Sequence, residues 1–156
     1  LGGSTEFEPR FPVISLPTEC GGGVGETFVA SINLGAPTAV NIAVSGDLLT
    51  ASAIEVRTPT APPAAACLDV LRVNDNPVCD FQDTFDEANT THTFSVVQLQ
   101  GGDCANDGEC GGDTPTCDLN NGICVGTLPF QLPAGQSFIV LEVLSGDNVT
   151  LVVTAQ

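Results

Sequence analysis

The residues able to do chemistry are few in kind. The chain of 156 residues carries 19 acidic side chains, three basic ones and one histidine, for a formal charge of −16. The bases are all arginines: Arg10, Arg57 and Arg72. Lysine is absent, which removes Schiff-base chemistry, a P-loop lysine and lysine isopeptide cross-links. A single histidine removes any multi-histidine metal site. That residue, His92, is the one neutral-pH base and lies in Thr90-Thr91-His92-Thr93 at a strand edge. No G-x-S-x-G elbow accompanies it, although spacing alone leaves a Ser–His–Asp arrangement open. Paired carboxylates are so common here that they say little about glycoside hydrolysis. Tryptophan and tyrosine are absent, so no amphipathic ring is available as a sugar platform. The expectation is a protein without catalysis or cofactor. Its charge repels phosphate backbones, which excludes nucleic acid as a partner.

The carboxylates cluster twice, at Asp75, Asp80, Asp83, Asp86 and Glu87, and at Asp103, Asp107, Glu109, Asp113 and Asp118. Calcium takes six to eight oxygens, and acidic loops can supply them. Asp83, Asp86, Asp107 and Asp113 are the candidates, although neither stretch fits the EF-hand pattern. The plainer reading is a hydrated acidic surface.

Seven cysteines complete the inventory. Zinc knuckles use C-x2-4-C spacing, and the closest pair here, Cys104 and Cys110, is separated by five residues. Disulfides in an oxidising compartment are therefore expected. Cys67 and Cys79 flank Leu68–Val78 and could staple a hairpin, leaving Cys20 unpaired or bonded to another chain. Cys20 could equally pair with Cys67 or Cys79 and leave a different thiol over. Cys104, Cys110, Cys117 and Cys124 allow three pairings, of which Cys104–Cys117 with Cys110–Cys124, as in many small knotted loops, is favoured.

The segment C-ANDGE-C-GGDTPT-C-DLNNGI-C-V, residues 104–125, resembles the short cysteine-rich repeats of secreted bacterial surface proteins, myxobacterial ones especially. The resemblance rests on the cysteine spacing, Asp107, Pro115, Asp118, Gly122 and Val125. It implies a location outside the cell. Two sequons, at Asn89 and Asn148, are candidate glycosylation sites. Thr58 and Thr60, in a Thr/Pro/Ala stretch, are candidates for O-linked sugars.

These residues need elements to hold them. Apolar residues make up 42% of the chain and charged residues 14%, so the acidity does not signal disorder. β-Branched residues, Gly and Pro point to an all-β fold. No apolar run approaches the roughly 20 residues of a membrane helix. The start, Leu1-Gly2-Gly3, reads as a mature product whose leader has been removed. Residues 1–19 form an arm in which Thr5, Phe7, Pro9, Phe11 and Val13 alternate with Glu6, Glu8, Arg10 and Pro12, a strand pattern whose prolines suit an edge or inserted strand. Residues 20–26 form a glycine-rich hinge. Residues 27–156 form the domain, with a cysteine-rich insert at 101–126. Strands are expected at Thr27–Leu34, around Val40, Ile42 and Val44, at Leu48–Val56, Leu68–Val73, Val78–Phe81, Thr91–Leu99, Leu128–Leu132, Ser137–Leu144 and Asn148–Ala155. Ser45-Gly46-Asp47 and Ser145-Gly146-Asp147 are expected turns, and 57–66 an extended connector. The sum is an Ig-like or jelly-roll β-sandwich.

A detached alternating strand can insert into the next copy, with Phe7, Phe11 and Val13 filling pockets between its sheets. A head-to-tail contact of that kind does not close, so it builds a fibre. In layout the chain resembles donor-strand pilins and glycan-coated β-sandwich fibrils. That resemblance implies a secreted, glycosylated subunit whose partner is another copy of itself. The arm could instead be the first strand of its own sandwich. The alternatives in function are a calcium-dependent adhesin or ligand-binding surface module and, further off, a jelly-roll hydrolase.

Overall fold

The computed structural model describes residues 2–6, 18–20, 25–47, 49, 51–59, 68–82, 85, 91–144 and 147–156. Among them the strands are β1 (Gly2–Glu6), β2 (Glu26–Leu34), β3 (Thr38–Asp47), β4 (Ser52–Pro59), β5 (Leu68–Val70), β6 (Arg72–Val73), β7 (Asn76–Pro77), β8 (Cys79–Gln82), β9 (Thr91–Phe94), β10 (Val96–Asp103), β11 (Thr116–Asp118), β12 (Ile123–Pro129), β13 (Gln131–Leu132), β14 (Gly135–Val143) and β15 (Asp147–Ala155). The one helical feature among the described residues is a 3-10 turn at Asp107–Glu109, and none of their helices is long and apolar enough to cross a membrane.

Two antiparallel sheets face each other. The first runs β1-β15-β3, with β9 and β13 both along the far side of β3; the second runs β2-β14-β4, with β5 and β8 both along β4. Period-two alternation explains the layering. Val40, Ile42 and Val44 of β3 are fully buried, while Asn41, Ala43 and Ser45 between them are half-buried. Ile54 and Val56 of β4 meet Leu141 and Ile139 of β14 in register, and these turn toward the same core. Each such side chain contributes about 1.5–3 kcal/mol by leaving water.

A hairpin leaves this sandwich. β9 follows β3, but after Ser95 the chain pairs β10 with β12 instead, and after Phe130 the return strand comes back to β3 as β13. The expected single strands Thr91–Leu99 and Leu128–Leu132 are thus each broken. β11 adds to the hairpin tip, giving a separate sheet β10-β12-β11 that carries the cysteine-rich insert. Phe94 and Phe130 stack at the branch with ring centroids 4.8 Å apart.

Other expectations shift at the edges. Ser45-Gly46-Asp47 is not a turn: β3 runs through it, and Asp47 pairs with Asp147. The connector begins later than expected, because Arg57, Thr58 and Pro59 still belong to β4, opposite Val70, Asp69 and Leu68. Asn74 and Asp75, both at positive φ, make the two-residue turn between β6 and β7, a conformation that Asn and Asp tolerate better than most side chains. In the expected hinge, Gly25 has a specific task. A Cβ there would collide with the Val143 carbonyl oxygen, so only glycine allows the chain to cross β14 so closely.

Candidate functional site

The arm meets the body at two places. Gly2–Glu6 pairs with Thr150–Thr154 of β15 in the same chain, as an edge strand of the first sheet. Its root, Thr18–Cys20, lies over the outer face of the second sheet. There the Thr18 hydroxyl donates to Glu142 Oε2 at 2.9 Å, the Glu19 N–H donates to Glu55 Oε2 at 2.6 Å, and Arg72 donates to both Glu19 carboxylate oxygens at 2.9 and 2.7 Å. The Arg72–Glu19 pair is exposed and contributes little. The covalent anchor is a disulfide between Cys20 and Cys79, with Cα atoms 6.0 Å apart.

This bond decides between the two cysteine expectations: it is the pairing of Cys20 with Cys67 or Cys79 that holds, and the Cys67–Cys79 staple is corrected. Cys79 is bonded to Cys20 rather than to Cys67, so Cys20 is neither unpaired nor intermolecular. The reason is spatial. β8 lies along β4, whose outward Glu55 receives the arm root, and this brings Cys79 beside residue 20 although 59 positions separate them. Cys67 lies outside the described residues. The other six cysteines are consumed in pairs, so within these 156 residues it has no cysteine left to pair with.

The insert has the favoured pairing. Cys104 bonds to Cys117 and Cys110 to Cys124, with Cα separations of 5.9 and 5.5 Å. Cys117 and Cys124 are cross-strand partners, so the two bridges stack. The convergence of Cys104, Cys110 and Cys117 sulfurs follows from that stacking, and oxidised sulfurs are not thiolate ligands. The acids here secure backbone donors. Asp107 Oδ1 accepts from the Cys117 N–H at 2.7 Å, Asn106 caps the 3-10 turn through Gly108, and Glu109 accepts from the Ala105 N–H. Gly126 lies so close to the Asp113 carbonyl that a Cβ would collide with it, which seats the 111–114 loop against β12. Beside that loop, where β11 ends and β12 continues, is an open groove of about 450 Å³ that includes Gln98, Asp113, Thr116 and Thr127.

Asp118 accepts hydrogen bonds from the Asn121 side chain at 2.7 Å and the Asn120 N–H at 3.0 Å. These bonds, the Asn121 side chain first, hold its carboxyl below the usual 3.8. A depressed folded value means that the tip gains stability above the unfolded value and loses it as pH falls through the folded one. Protection of the Asn120 and Asn121 amides, taken relative to their intrinsic exchange rates, is therefore expected to fall below about pH 3.8, and Asp118→Asn should remove that acid limb. Protection factors that stay constant with pH in the unmodified protein would refute this.

His92 is buried, 1% exposed, on the core side of β9. Its Nδ1 is 2.7 Å from Ser52 Oγ and its Nε2 is 3.1 Å from Asp80 Oδ2. A Ser–His–Asp cluster therefore exists, but it joins the two sheets from within. The serine is 1% exposed, so its hydroxyl does not face a substrate. The hydroxyl and carboxylate also lie on the opposite imidazole nitrogens from those of a serine-protease triad.

The remaining candidates are scattered. Asp107 serves Cys117, and Asp113 Oδ2 accepts from Asn74 Nδ2 at 3.1 Å. Among the described residues no three carboxylates converge. Asn148 is exposed at a bulge in β15, and its Nδ2 donates to Asp47 at 2.9 Å. Thr58 is half-buried within β4. Phe7, Phe11, Val13, Thr60, Asp83, Asp86 and Asn89 lie outside the described residues.

The sequence reading passed over Glu55 and Glu142, which are 0% and 2% exposed. The signal was present: each is a lone charge inside an apolar strand, Ala53-Ile54-Glu55-Val56 and Val140-Leu141-Glu142-Val143. Compared with protein-family models, curated proteins and solved structures, the chain has no match in any of the three.

Proposed function

We propose that the protein is a structural subunit of an extracellular filament, joined head to tail through its N-terminal strand. What supports this reading is that a terminal strand, Gly2–Glu6, pairs with the β15 edge, here within its own chain as the first-strand alternative has it. The strand Gly-Gly-Ser-Thr-Glu has no large apolar side chain, so backbone pairing carries the contact. A neighbour's strand can make the same pairing, and a contact of that kind propagates rather than closes. Three disulfides suit a protein that matures in an oxidising compartment. Sugars on Asn89 and Asn148 would extend the hydrated surface that the −16 charge already provides. The reading assigns no catalysis, since the one serine–histidine–aspartate cluster is closed to solvent at its serine. The groove beside the insert favours a second reading, a ligand-binding surface module.

Deleting residues 1–17 while keeping the anchored Thr18–Cys20 tests the first. The expected result is monomers in negative-stain micrographs, with cooperative unfolding retained. Filaments that persist in the truncated protein would refute strand-mediated assembly. Native material that is wholly monomeric would favour the second reading.

A further inference from the structure

Two glutamates occupy positions where these strands are otherwise apolar. In the antiparallel register Glu55 stands opposite Val140 and Glu142 opposite Ala53, so they are diagonal neighbours on the outer face of the second sheet. Such neighbours lie about 7–8 Å apart, which leaves two long side chains free to converge. Consecutive residues of the arm root cover them, Thr18 on Glu142 and Glu19 on Glu55.

Their surroundings differ in one respect. Glu55 has a counter-charge, because Arg57 Nε lies 2.5 Å from its Oε1. Glu142 does not: its Oε1 is buried without a hydrogen-bond partner, and among the described residues no cation lies within ion-pair distance of it. Arg72 faces Glu19 at the surface, and His92 is on the opposite side of the sheet with Ser52 and Asp80. A buried carboxylate is held by a paired charge or by a metal, or it is costly to keep.

We propose that Glu142, together with Glu55 and the Thr18 hydroxyl, seats a hard metal cation, and that calcium is the ion it takes. The available donors are all oxygen, which selects hard cations over zinc or copper. Calcium accepts an irregular oxygen set completed by carbonyls or water, whereas magnesium demands a near-ideal octahedron. What sets the site apart is one buried carboxylate oxygen, Glu142 Oε1, that no hydrogen-bond donor reaches. It lies under the arm root, so the ion would tie residues 18–20 to the central strands β4 and β14. The inference does not depend on filament assembly.

Thermal unfolding of the full chain, with calcium and with chelator at constant ionic strength, tests it. An ion that binds the folded state a hundredfold above its Kd should raise the midpoint by about 5–10 °C. Glu142→Gln, neutral and of the same shape, should abolish the rise, and Thr18→Val should reduce it. Asp118→Asn, which removes a charge from the insert, should leave it intact. The absence of a rise in the unmodified protein would overturn the proposal. A rise retained in Glu142→Gln would overturn it as well, by placing the ion elsewhere.

Discussion

Replacing Cys20 and Cys79 together by serine is expected to lower the unfolding free energy by about 4 kcal/mol. The bond spans 59 positions, far more than the 13 and 14 spanned by the insert disulfides. The entropy that a cross-link removes from the unfolded chain grows with loop length. Since domains of this kind are stable by about 5–15 kcal/mol, the loss is a large share of the total. The damage should be local as well as global. Without the bond, the described contacts that hold Thr18 and Glu19 over Glu142 and Glu55 are hydrogen bonds and the exposed Arg72 pair. Water then reaches two carboxylates that are now buried. Denaturant midpoints report the first effect. Amide exchange reports the second, with protection falling in β4 and β14 while the insert, held by its own bridges, keeps its pattern. Both cysteines must be replaced, because a lone Cys79 could pair with Cys67. A double variant with an unchanged midpoint would show that the anchor adds nothing to stability.

Phe130→Ala is expected to cost about 3–5 kcal/mol, lowering the melting midpoint by roughly 10 °C. The ring is 1% exposed and packs against Phe94 with an interplanar angle of 32°. It sits where the return strand leaves β12 and rejoins β3 as β13, so truncation opens a cavity at the base of the projecting hairpin. Phe130→Leu keeps most of the volume and should cost clearly less. Equal and small losses in the two variants would mean that the branch point is not a packing centre.

The legibility of this molecule follows the range of each interaction. The core strands were readable, since alternation at Val40, Ile42 and Val44 expresses burial of one face of a pleated chain. The insert pairing was also accessible, because its four cysteines lie within 21 consecutive residues and the stretch has little apolar material with which to pack otherwise. The breaks at Ser95 and Phe130 were not. Apolar residues continue through both, and a strand that changes partner keeps the same period. Ser45-Gly46-Asp47 misled because its composition suits a turn, while its pairing with β15 is set 100 or more positions away.

By itself, then, the sequence determined the class of fold, the acidic charge and the excluded chemistries, and it favoured one of the three pairings of the insert. All of these rest on composition or on residues close in the chain. Tertiary structure alone decided that Cys79 takes Cys20, that His92 meets Ser52 and Asp80 between the sheets, and that Glu55 and Glu142 are buried side by side beneath the arm root. Those contacts join residues 12 to 124 positions apart. They exist because pairing two sheets closes long loops whose entropy no local pattern records.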